Sequence, residues 1–238
     1  ALEQERALLV EMYGDSPYLA VSMRGSALML QRVGRTADSI EMQRQIVAMY
    51  ERLDKKMVMK GNLAQARSVL GEMLMNVGDL SGGGDLILNA RSLLAPARVT
   101  FPEFYRDNLS HLVTLNFQTG NAQQALNYAQ ELSAAMREFA GDKSLQYAIA
   151  LERLSKAQLN VGNRTEAEKI ARDVLAISQA ASPSGSALTS LATVDIANAL
   201  RDQGNATAAE PLYQSAFQYF DANRFPWGTQ LVHQEMAK

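Results

Sequence analysis

Few side chains in this sequence have the type and spacing that organised chemistry requires. Its two histidines, His111 and His233, stand far apart, and no HExxH pair places metal ligands on one helical face. Cysteine is absent, which removes thiolate ligands, a thiol nucleophile and any disulfide framework. Ser81-Gly82-Gly83-Gly84-Asp85 is glycine-rich but lacks the lysine and the preceding strand of a phosphate-binding loop, and no dinucleotide fingerprint occurs. With no constellation to hold or activate a substrate, the expectation is a non-enzymatic chain without cofactor or metal.

The glycine triplet still needs a cause, since each glycine in a helix costs up to about 1 kcal/mol relative to alanine. Two readings fit Gly82, Gly83 and Gly84: close packing at a helix start, or a hinge after a methionine-rich first third. Nine of the eleven methionines lie between Met12 and Met75, most at helical spacing, which points to core packing.

Charge and composition narrow the partner. The 238 residues carry a formal charge of -2, and the longest cationic run is Lys55-Lys56, so no basic patch marks a nucleic-acid or anionic-lipid surface. Residues 174 to 194 are free of charge, yet Ser182-Pro183-Ser184-Gly185 interrupts them with a polar break that a membrane span would not carry. Residues 1 to 13, ALEQERALLVEMY, alternate charge with leucine as an amphipathic helix does, and a helix rather than a signal peptide is expected there. A cytoplasmic chain is expected, with the periplasm left open.

The elements that position these groups are punctuated by glycine. QRVGRTADS, MNVGDLSGG, FQTGNAQQA, LNVGNRTEA and RDQGNATAA share a turn at Gly34, Gly78, Gly120, Gly162 and Gly204, with the last four at even spacing. Glycine ends a helix by taking the left-handed backbone conformation, and a polar residue follows it each time. Five residues after each turn stand Ser39, Gly83, Ala125, Ala167 and Ala209, all small. Seven before it are Ala27, Gly71, Val113, Ser155 and Ala197, and five before it Met29, Met73, Leu115, Ala157 and Ala199. Small residues against apolar filler describe two antiparallel helices in close contact. Thr165 with Glu168, Thr207 with Glu210, and Thr100 with Glu103 have the capping-box spacing of a helix start. Ser16-Pro17 reads as a serine cap before a proline.

These positions resemble the tetratricopeptide repeat, most closely its longer form found in kinesin light chains and bacterial signalling proteins. VLGEML at Val69–Leu74 carries the first-helix pattern, and GNRTEAEKIA and GNATAAEPLYQSAF carry the second. The resemblance implies an all-α fold: a right-handed α-α superhelix, or solenoid, of about five helical hairpins with partial terminal repeats. The expected divisions are a partial repeat over 1–15, repeats over 16–57, 58–99, 100–141, 142–181 and 182–223, and a capping helix over 224–238, all in one domain. The chain begins with alanine, so the array is expected to be cut from a larger protein on its N-terminal side.

In arrays of this kind the first helices line a groove for an extended peptide or a partner helix. The resemblance therefore selects positions ten, nine and six before each glycine, among them Arg24, Glu72, His111, Glu152, Arg153, Lys156 and Asn198, with Asp195 on the same lines. Arg153 and Lys156 form the densest positive spot, and an acidic partner is expected there. The clamp of chaperone-binding members and the asparagine ladder of kinesin light chains are not present, since Asn198 is the one asparagine on these lines. The expected function is a protein or peptide interaction scaffold. An alternative is the sensor region of a larger bacterial signalling protein, such as a serine/threonine kinase or transcription regulator, binding a peptide or small effector. Self-association through terminal repeats is a further expectation.

Overall fold

A computed structural model describes residues 14–54 and 59–237. The helix expected over residues 1–13 lies outside them. Eleven α-helices and no strand occur among the described residues: α1 Pro17–Arg32, α2 Thr36–Asp54, α3 Lys60–Asn76, α4 Leu80–Leu94, α5 Pro102–Gln118, α6 Ala122–Ala140, α7 Leu145–Asn160, α8 Arg164–Ala181, α9 Ala187–Asp202, α10 Ala206–Ala222 and α11 Pro226–Met236. A 3-10 turn, Ala95–Ala97, follows α4. None of these helices is long and apolar enough to cross a membrane. The chain divides into two compact units, Ala1–Leu115 and Asn116–Lys238, with the division inside α5.

The five glycine turns are one backbone motif. Gly34, Gly78, Gly120, Gly162 and Gly204 all have positive φ, between 73° and 93°. In each turn the next residue donates its N–H to the carbonyl five residues back: Arg35 to Leu30, Asp79 to Leu74, Asn121 to Asn116, Asn163 to Gln158 and Asn205 to Leu200. That bond satisfies a carbonyl the helix end would leave exposed, and it needs the left-handed residue that glycine supplies. A sixth corner, between α10 and α11, closes by the same bond from Phe225 to Phe220, but its left-handed residue is Arg224, at φ 57°.

Because the turn is this tight, the second helices start earlier than the capping-box reading places them. α8 begins at Arg164, with the Ala167 N–H already bonded to the Asn163 carbonyl, so Thr165 is an exposed second residue and not a cap. α10 is capped by Asn205, whose Oδ1 accepts from the Ala208 N–H at 3.3 Å, and Thr207 lies inside the helix. α5 opens at Pro102, and the Tyr105 N–H bonds to the Phe101 carbonyl, which moves Thr100 out of the cap position. Ser16 does cap α1, accepting from the Leu19 N–H at 3.2 Å ahead of Pro17.

The small residues are where hairpin helices meet. All ten positions five after and seven before the turn glycines are buried. Ser39 Oγ donates to the Ala27 carbonyl at 2.7 Å, and Ser155 Oγ to the Ala167 carbonyl at 3.0 Å. In α3 and α4 the same place holds glycines: a Cβ on Gly71 would stand 2.7 Å from the Gly83 carbonyl oxygen, and one on Gly83 would stand 2.5 Å from that of Gly71. Main chains therefore touch at this seam. Gly84 faces the end of the Leu115 side chain, and the Gly82 N–H is capped by Asp79. Packing thus gives the triplet a steric cause.

Apolar side chains fill the space on either side of each seam. In the first unit Met23, Ile46, Met49, Tyr50, Leu63, Leu70 and Leu74 belong to one cluster. Near the end of the second, Val194, Ala197, Ala209, Tyr213, Phe220 and Val232 form another. Met23, Met49, Met73 and Met75 are buried, as core methionines should be, whereas Met29, on the filler line five before Gly34, is half exposed.

Candidate functional site

In the second unit, the helices that open each hairpin bring a set of ionisable groups to one partly buried place, with Glu152 and Asp195 at its buried end. α7 carries Glu152, Arg153 and Lys156, and the adjacent α9 carries Asp195, Asn198 and Arg201. The i,i+4 spacing on α7 sets the Lys156 ammonium against Glu152 as an ion pair. Burial pulls the Lys156 pKa down, but Glu152 and Asp195 outweigh it and hold the ammonium above its ordinary range. The positive spot expected at Arg153 and Lys156 is therefore offset: the lysine charge is matched by carboxylates on its own helix and the next.

Asp195 is 1% exposed, and neither of its carboxylate oxygens has a hydrogen-bond partner. Burial raises its pKa well above the ordinary carboxylate value; Lys156 opposes the shift, and Glu152 and Glu235 add to it. One turn further along α9, Asn198 Oδ1 accepts from the Tyr213 hydroxyl at 2.6 Å. Arg201 donates to Tyr213 Oη at 3.1 Å and to the Glu235 carbonyl at 2.7 Å, which ties α11 to α9. Burial of the Tyr213 phenol pushes its pKa up to about 12; Arg201 acts against this, and Glu235, Asp202 and Asp195 reinforce it.

The first unit holds the other positions selected from sequence, in separate pairs. Arg24 donates to Gln65 Oε1 at 3.3 Å beside a narrow recess lined by Tyr50 and Asn62. His111 Nε2 lies 3.5 Å from a Glu72 carboxylate oxygen. Ser68, on the ten-before line, is buried and accepts from Asn108 Nδ2, which also donates to the Ile87 carbonyl. Glu152, Lys156 and Asn198 are thus joined by Asp195, Tyr213, Arg201 and Glu235. Asp195 carries a sequence signal, as the one charge within the apolar run SALTSLATVDIANAL, whereas Tyr213 and Glu235 lie on other helices and lack one. Among the described residues no group of three or more His, Asp or Glu could hold a metal ion.

An all-α array of hairpins, with a buried polar cluster along its opening helices, defines a repeat protein of the helical-hairpin class. Its fold is that of tetratricopeptide-repeat arrays. The crystal structure of BtubC (BKLC) from P. vanneervenii superposes with a TM-score of 0.77 at 15% identity, covering 94% of this chain and 88% of that one. NprR in complex with its cognate peptide NprX gives 0.59 at 15% identity, covering 99% and 68%. YrrB, a TPR protein with an unusual peptide-binding site, gives 0.56 at 13%, covering 96% and 97%. No protein-family model matches the chain, and no curated protein matches it by sequence.

Proposed function

We propose that the chain is a non-enzymatic scaffold that binds a peptide segment of a partner along its opening helices. The observation that carries this is the polar cluster of α7 and α9: buried ionisable groups cost stability unless they are matched, and this face concentrates them where a ligand backbone or side chain can complete their bonding. Asn198 supplies an amide of the kind that holds an extended peptide backbone, its Oδ1 already fixed by the Tyr213 hydroxyl. Support also comes from the fold shared with NprR, solved with its cognate peptide, and with the peptide-binding YrrB.

The test is selection of random dodecapeptides on the immobilised chain. Binders are expected to lose at least tenfold in affinity when Asn198 and Arg153 are both replaced by alanine, with the helical circular dichroism retained. Equal binding by the variant removes the assignment to this face.

A further inference from the structure

Asp195 is the group in the cluster that the fold leaves unmatched. Lys156 closes on Glu152 and acts on Asp195 only as a charge through space, and Arg201 is engaged by Asp202 and Glu235, so neither cation donates a hydrogen bond to Asp195. The ionisable groups that act on Asp195 are Lys156 and Glu152 from α7 and Glu235 from α11, one cation against two further carboxylates. Burying a carboxyl without a hydrogen-bond donor is costly, because it loses hydration that the Lys156 charge only partly offsets. Nothing in the hairpin architecture requires it there: Val194 and Ile196 on either side are ordinary core residues. What Asp195 lacks is a hydrogen-bond donor on either oxygen, and Lys156 already shows that a cation is accommodated beside it.

We infer that Asp195, with Glu152, forms a subsite for one basic side chain, the guanidinium of an arginine or the ammonium of a lysine, in the bound peptide. This rests on the peptide-binding reading above and reverses the charge of the partner expected from sequence. The Lys156 side chain is 37% exposed on a flexible stem, so an incoming cation gains access as that ammonium swings towards solvent. An arginine would bring paired donors for the two unpartnered oxygens, the geometry in which carboxylate recognition is strongest.

The experiment compares dodecapeptides selected from a random library on the wild-type chain with the same peptides on Asp195→Asn. The wild-type set is expected to share one basic position. Replacing that arginine with citrulline, or that lysine with glutamine, should cost at least tenfold on the wild type and less than twofold on Asp195→Asn. Selected peptides without a common basic residue, or an equal loss on both proteins, overturn the subsite while leaving the scaffold reading intact. A library that yields no binder overturns the scaffold reading and the subsite with it. Asp195→Asn is isosteric and is expected to melt no lower than wild type; a variant that fails to fold assigns Asp195 a structural role and also overturns the subsite.

Discussion

Replacing Gly83 with alanine tests the packing seam directly. The new Cβ would lie 2.5 Å from the Gly71 carbonyl oxygen, 2.8 Å from Met75 Cγ and 3.1 Å from the Met75 nitrogen. Two of these neighbours are helix backbone and cannot rotate away, so α3 and α4 must part by a large fraction of an ångström. A gap of about 0.5–1 Å forfeits a quarter to a half of each dispersion contact across the seam, and overpacking of this kind costs about 1–3 kcal/mol. Alanine returns up to about 1 kcal/mol through helix propensity, leaving a net loss of about 0–2 kcal/mol. The neighbouring glycines calibrate the effect. Gly84→Ala meets only the end of the Leu115 side chain at 3.1 Å, which can shift, so it should be neutral or stabilising. Gly82→Ala crowds the Asp79 cap at 2.4 Å, so a lost cap of about 1 kcal/mol offsets the propensity gain. Urea unfolding followed by far-ultraviolet circular dichroism reads all three. If Gly83→Ala is as stable as Gly84→Ala, the close approach of the two main chains is refuted.

Two more outcomes are expected. Burial raises the Asp195 pKa, so the folded state holds this proton more tightly than the unfolded one and its contribution falls as the pH rises from about 4, where the unfolded carboxyl ionises. The melting temperature of Asp195→Asn relative to wild type should therefore be near zero at pH 3.5 and grow towards neutrality; a difference that is flat with pH argues against a buried, unmatched carboxyl. At the helix starts, Asn205→Ala should cost about 1 kcal/mol by chemical denaturation while Thr165→Ala costs little, and the opposite ranking would restore the later helix start.

The hairpins are legible in the sequence because two constraints recur at fixed distances from each turn: a left-handed residue, and a pair of small residues where helices cross. Ser39 with Ala27 and Ser155 with Ala167 follow from that spacing alone. The caps are harder, since Asn163 and Thr165 are both cap-forming types two residues apart, and only the bonds from Asn163 back to Gln158 and from Ala167 to the Asn163 carbonyl decide which one precedes α8. The binding face is legible only in part. Glu152 and Lys156 pair through i,i+4 geometry, but the charge on that face depends on burial and on groups from other helices. Asp195, Tyr213 and Glu235 meet through tertiary packing, and no periodicity along one helix encodes that meeting.

Arg224 has a consequence for how the second unit comes apart. A side chain in the left-handed region is disfavoured by about 1–2 kcal/mol, a penalty absent at the five glycine corners. The corner into α11 is therefore weaker than the five glycine corners, and α11 is expected to fray more readily than the helices they join, with Arg201's hold on Glu235 as its restraint. Peeling back α11 would uncover Phe220, expose α11's own Val232 and free Arg201 from Glu235, so fraying at this corner reaches the polar cluster of α9 before it reaches the hairpin seams.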